Sequence, residues 1–89
     1  RELAEETGYT AERWRSLGFI YASPGLLDEK LHLFVAEGLT PGAARPEPDE
    51  TLEPVVVPFA DAIRMCLDGT IRDAKTITSL LLWERLRAT

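Results

Sequence analysis

At 89 residues, with a formal net charge of −5 and a single cysteine, the chain is one small domain at most, with no disulfide framework and no zinc set. A chain this short buries only about 60–65% of the surface it exposes when unfolded, so its core is thin. The acidic balance disfavours a nucleic-acid backbone as partner, and no apolar run reaches transmembrane length; the one near the end, Leu80 to Trp83, is far too short. One cysteine fits a reducing compartment, so a cytoplasmic location is expected. The chain lacks an initiator Met and starts inside a helix pattern, so it reads as part of a longer protein.

The first element is a motif helix over 1–8, in the run Arg1-Glu2-Leu3-Ala4-Glu5-Glu6-Thr7-Gly8-Tyr9. Gly8 is its natural stop, because the position just past a helix end turns left-handed. That places Glu5 and Glu6 in the last turn, where the helix dipole penalises acid by about 0.3–1 kcal/mol per group. Glu2 lies three residues from Glu5 and four from Glu6, so the three crowd one side and repel. Rule-breaking of this kind marks functional sites. A bound divalent cation with oxygen ligands, such as Mg²⁺, relieves it. The competing reading is a solvated acidic face, with Arg1 paired to Glu5.

A strand is expected over 14–22, where Leu17, Phe19 and Tyr21 alternate with Ser16, Gly18 and Ile20. Ser23-Pro24-Gly25 ends it as a turn. A second strand follows over 30–36. There Leu31, Leu33 and Val35 share one face and His32, Phe34 and Ala36 the other, so both faces read as partly covered. Lone His32 reads as a packed or edge residue.

The segment 37–54 is a loop with Gly38, Gly42 and four prolines, and its second half carries Glu47, Asp49, Glu50 and Glu53. Loops of this length are functional or disordered. Val55-Val56-Val57 reads as a short buried strand over 55–57. A helix over 60–68 places Phe59, Ala62, Ile63, Cys66 and Leu67 on one face, with Cys66 as core filler. The last helix spans 74–86, with Asp73 as its N-cap and Ile77, Leu80, Leu81 and Trp83 as a broad apolar surface. Trp14 and Trp83 read as packing residues. A helix followed by three strands and two helices suits an α/β (α+β) fold, with helices against a sheet.

The opening nine residues resemble the second half of the signature of Nudix hydrolases, Arg-Glu-bulky-any-Glu-Glu-any-Gly-bulky, at every fixed position. The resemblance reaches from Arg1 to about Leu82. It implies that the chain is the C-terminal part of a single Nudix domain, an α/β/α sandwich with a mixed sheet. The signature's first half would lie before Arg1, so the chain alone is expected to be inactive.

By this resemblance Glu2, Glu5 and Glu6 bind Mg²⁺, with Mn²⁺ as a substitute, and Arg1 orients a neighbouring glutamate. Pro24 lies fifteen residues after Tyr9, as in Nudix enzymes that cleave ADP-ribose. Ser23, Pro24, Gly25 and Glu29 would then shape the pocket around the terminal ribose. The acidic loop resembles that subfamily's catalytic loop, with Glu50 as the base for water, then Glu53, then Glu47. The implied activity is hydrolysis of ADP-ribose to AMP and ribose 5-phosphate, by a homodimer acting on a small-molecule nucleotide. The alternatives are a Nudix enzyme for another nucleotide sugar or a dinucleotide, and a non-catalytic Nudix-like nucleotide-binding module.

Overall fold

The computed structural model of the chain describes residues 2–23, 29–42 and 54–88. In chain order these form α1 (Glu2–Thr7), β1 (Thr10–Tyr21), β2 (Lys30–Thr40), α2 (Phe59–Leu67) and α3 (Ala74–Arg87). The fold is mixed α/β, with β1 and β2 paired in a two-stranded sheet. The Ala22 amide donates to the Glu29 carbonyl at 3.4 Å and closes the antiparallel hairpin. The chain divides into two compact units, one of Arg1–Trp14 with Ala36–Val56 and the other of Arg15–Val35 with Val57–Thr89.

In the first unit β1 begins at Thr10, four residues before the strand expected from the sequence, and β2 runs on to Thr40 instead of ending at 36. The run Thr10–Arg13 holds only Ala11 as an apolar residue and so carries no apolar alternation. Pairing of backbone amides and carbonyls needs none, because the ladder is made by the main chain. Glu12 lies across from Gly38, which has φ 68° and room for no Cβ beside that side chain.

In the second unit the hairpin departs from simple alternation. Leu17 and Ile20 are half-buried, while Phe19 and Tyr21 are each 47% exposed. Gly18 sits between them with φ 95°, the mark of a glycine bulge, which adds one residue and moves the following side chains to the other face. On β2, Leu33 is buried with Leu31 and Val35 half-buried, but His32 and Phe34 are exposed. Of the second face expected to be partly covered, only Ala36 is half-buried, so the cover on that face is confined to Ala36. The bulge puts Phe19 beside His32, with ring centres 5.9 Å apart, and the Lys30 ammonium lies 4.7 Å over the Phe19 ring.

The helices α2 and α3 pack on each other. Ala62 of α2 is buried, and Phe59, Ile63 and Cys66 are half-buried, but Leu67 is 77% exposed and leaves the apolar face assigned to it. The Arg87 guanidinium over Phe59 at 4.5 Å ties the end of α3 to the start of α2. Trp83 is half-buried, with the Arg15 guanidinium 5.7 Å over its ring. Trp14, expected as packing, is 54% exposed.

The run 55–57, expected as a short buried strand, is not one. Val55 and Val56 are 76% and 82% exposed, and no ladder forms at 54–58. β-propensity records how well a side chain fits a pleated, half-buried surface, and three valines need a partner strand to form one.

Asp73 caps α3 as its position before the helix requires. Its carboxylate accepts from the Thr76 amide at 2.9 Å and the Thr76 hydroxyl at 2.8 Å, and Lys75 lies 3.2 Å away. The Thr76 hydroxyl and amide, then Lys75, hold its pKa down to about 2 from 3.8. A carboxylate whose folded pKa is depressed stabilises the fold above its unfolded value and loses that contribution as pH falls through the folded one. Asp73→Ala is therefore expected to lower the thermal midpoint by several degrees at neutral pH. The deficit should shrink as pH falls from about 4 toward 2. A pH series of thermal melts checks this, and a deficit independent of pH would contradict the capping role.

Candidate metal centre

The candidate centre is α1, a six-residue helix with no basic residue in its last turn. Glu2, Glu5 and Glu6 all lie within it, so their helical spacing of three and four residues puts them on one side. Of the three side chains the structure describes that of Glu5, which is half-buried. Among the described residues no cluster of three His, Cys, Asp or Glu side chains is assembled as a metal site. As a donor set, three carboxylates supply only oxygen. That suits a hard divalent cation such as Mg²⁺ and excludes a thiolate or imidazole site for softer metals.

The carboxy-terminal end of α1 is secured by its own backbone and one hydroxyl. The Gly8 amide donates to the Ala4 carbonyl at 2.9 Å, and Gly8 is buried at φ 82°, as the stop expected at this position requires. The Thr7 hydroxyl donates to the Leu3 carbonyl at 2.6 Å and accepts from the Tyr9 amide at 3.1 Å. One side chain thus braces a carbonyl inside the helix and satisfies an amide beyond its end. Thr7 was missed in the sequence because it occupies a free position of the motif. The signal was a hydroxyl directly before the stop glycine. Gly8→Ala forces a Cβ into the left-handed region and is expected to cost about 1–2 kcal/mol, read as a lower thermal midpoint. An unchanged midpoint would contradict this.

Beside α1 the first unit has a cavity of about 220 Å³ lined by Leu3, Ala4, Tyr9, Thr10, Ala11 and Trp14. No carboxylate lines it, so it touches the apolar side of the helix and does not hold the candidate ligands.

The remaining expected residues are distributed as follows. Ser23 is half-buried and Glu29 exposed at the two ends of the β1–β2 connection in the second unit, where the Glu29 carbonyl accepts from Ala22. Arg1, Pro24, Gly25, Glu47, Glu50 and Glu53 lie outside the described residues. The structure therefore brings Ser23 and Glu29 to one hairpin end and Glu2, Glu5 and Glu6 to one helix. No helix among the described residues is long and apolar enough to cross a membrane.

The profile of the NUDIX domain matches residues 1–80. An ADP-ribose pyrophosphatase of Bacillus subtilis (strain 168) is 41% identical over 93 residues, covering 99% of this chain and 50% of that protein. A GDP-mannose pyrophosphatase of Pectobacterium atrosepticum is 42% identical over 82 residues, covering 89% of this chain and 42% of that protein. A protein of the same name from Yersinia enterocolitica is 41% identical over 83 residues, covering 90% of this chain and 44% of that protein. The chain spans about half the length of the curated relatives it matches.

Proposed function

Because the chain belongs to the Nudix family, we propose that it carries the cation-binding helix of a hydrolase that splits the diphosphate of a nucleoside diphosphate sugar. ADP-ribose is the substrate of choice, with AMP and ribose 5-phosphate as products. The observation that carries this reading is α1, a helix whose sequence spaces three glutamates three and four residues apart with no basic residue in its last turn. In a helix with only a structural task that arrangement is a liability. It is an asset where a diphosphate and a divalent ion must be held together. The ADP-ribose pyrophosphatase that covers nearly all of this chain, and the Ser-Pro-Gly sequence at 23–25, support the choice of substrate.

In this reading Glu2, Glu5 and Glu6 hold Mg²⁺, with Mn²⁺ as a substitute. When bound, such an ion supplies charge neutralisation at the phosphate oxygens and a lowered pKa for bound water. Glu50 accepts the proton of the attacking water, with Glu53 the next candidate. Water oxygen bonds in line to one phosphorus as the bridging P–O bond breaks, leaving two phosphomonoesters and the released proton. Ser23, Pro24, Gly25 and Glu29 bound the sugar end of the substrate. The active species is a homodimer of the whole protein, in the cytoplasm.

A second reading has support from the GDP-mannose pyrophosphatases among the relatives, namely that the sugar is a hexose and the base guanine. Assaying the intact protein against ADP-ribose, GDP-mannose and a dinucleoside diphosphate, with products identified by chromatography, separates the readings. Preferential release of AMP and ribose 5-phosphate from ADP-ribose supports the first. A preference for GDP-mannose transfers the assignment to the second. Nucleotide binding without turnover of any substrate points instead to a binding module.

A further inference from the structure

The chain leaving β2 passes the end of α1 at very short range. A Cβ built on Gly42 would lie 2.8 Å from the Gly8 carbonyl oxygen. Carbon and oxygen do not approach that closely without displacement, and here the obstacle is backbone, which cannot swing aside as a long side chain does. Both residues belong to the first compact unit. Gly8 is buried and stops the helix, and Thr7 bonds to the backbone on both sides of that stop. Together these features fix the turn of α1 that carries Glu5 and Glu6.

We propose that Gly42 and Thr7 are positioning residues for the cation-binding helix. Gly42 acts by having no side chain where the strand exit meets the Gly8 carbonyl, and Thr7 acts by tying the last turn to Tyr9. This rests on the reading of α1 given above. Mg²⁺ and Mn²⁺ sites demand closely set ligand distances, so a shift of the Gly8 backbone moves Glu5 and Glu6 together and weakens the site. The sequence shows Pro41-Gly42 only as loop chemistry. Which carbonyl the glycine crosses is a tertiary fact.

The test is titration of the intact protein with Mn²⁺ alone, followed by electron paramagnetic resonance of the free ion. Gly42→Ala is expected to weaken Mn²⁺ binding about tenfold, the size usual for groups that orient metal ligands. Its nucleotide KM at saturating Mg²⁺ should stay close to that of the parent. Gly38→Ala is the control, because it strains the strand that leads to Gly42, at φ 68°, and meets the Glu12 side chain, not α1. It should lower the thermal midpoint and leave Mn²⁺ affinity unchanged. Thr7→Val keeps the side-chain shape, removes the hydroxyl and should weaken Mn²⁺ binding in the same direction. It reads the same helix end even where Gly42→Ala does not fold. Parent-like Mn²⁺ affinity in Gly42→Ala or, if that variant does not fold, in Thr7→Val overturns the inference, and so does an equal loss in Gly38→Ala. Absence of Mn²⁺ binding in the parent overturns the reading of α1 itself.

Discussion

In the intact protein, Glu6→Gln is expected to reduce turnover by orders of magnitude while the circular dichroism spectrum and thermal midpoint stay near those of the parent. Glutamine keeps the shape and the helix propensity of glutamate but removes the charge that a hard cation requires. Loss of about 3–4 kcal/mol of transition-state stabilisation corresponds to a several-hundred-fold drop in kcat. Stability should be unchanged or slightly higher. Glu6 stands in the last turn of α1, a turn that contains no basic residue, where a negative charge opposes the helix dipole. Steady-state kinetics over a Mg²⁺ series, run beside thermal melts, checks both halves. Near-normal turnover at all Mg²⁺ concentrations would refute the metal assignment.

Glu50→Gln is expected to lower kcat by about 10²- to 10⁴-fold, the range of a positioned general base, with a much smaller change in KM. The proton of the attacking water is moved only as the reaction proceeds, so its loss falls on the chemical step and spares ground-state binding. The pH profile gives an independent readout. A base that must be deprotonated produces an acidic limb in kcat, and the variant should lose that limb along with the rate. If Glu50→Gln retains its rate and its limb, the base lies elsewhere, and Glu53→Gln becomes the variant to measure.

What was legible in the sequence was mostly local. Gly8 announced the end of α1 because few other residues adopt a left-handed conformation cheaply, and it sits there at φ 82°. Asp73 announced the start of α3 because a carboxylate just before a helix meets free amides, and Thr76 supplies one at 2.9 Å. The start of β2 and, to within one residue, the bounds of α2 and α3 follow from the same kind of signal. The start of β1 lies four residues earlier than expected because its first turn of ladder is made by backbone partners across from it, not by apolar alternation.

What was not legible depends on partners distant in sequence. Phe19 and Tyr21 alternate with their neighbours as a covered face should, but Gly18 at φ 95° moves them to the exposed one. Alternation counts residues and cannot see an inserted one. Val55 to Val57 have strong strand propensity and no strand, because a ladder needs a second edge. Of the candidate site, the helix and its three glutamates were legible from spacing, while the packing of Gly42 against Gly8 was not. Ser23 and Glu29 come to the two ends of one strand connection, and the turn expected at Ser23-Pro24-Gly25 lies mostly outside the described residues.

In the reading proposed above, α1 tolerates its crowded carboxylates because a divalent cation neutralises them. Crystals of the intact protein soaked with Mn²⁺ and a non-hydrolysable analogue of ADP-ribose, measured at the manganese absorption edge, address it directly. An anomalous peak within coordination distance of Glu2, Glu5 and Glu6, bridging to the diphosphate, is expected. An occupied analogue with no such peak, or with manganese held by other residues, would contradict it.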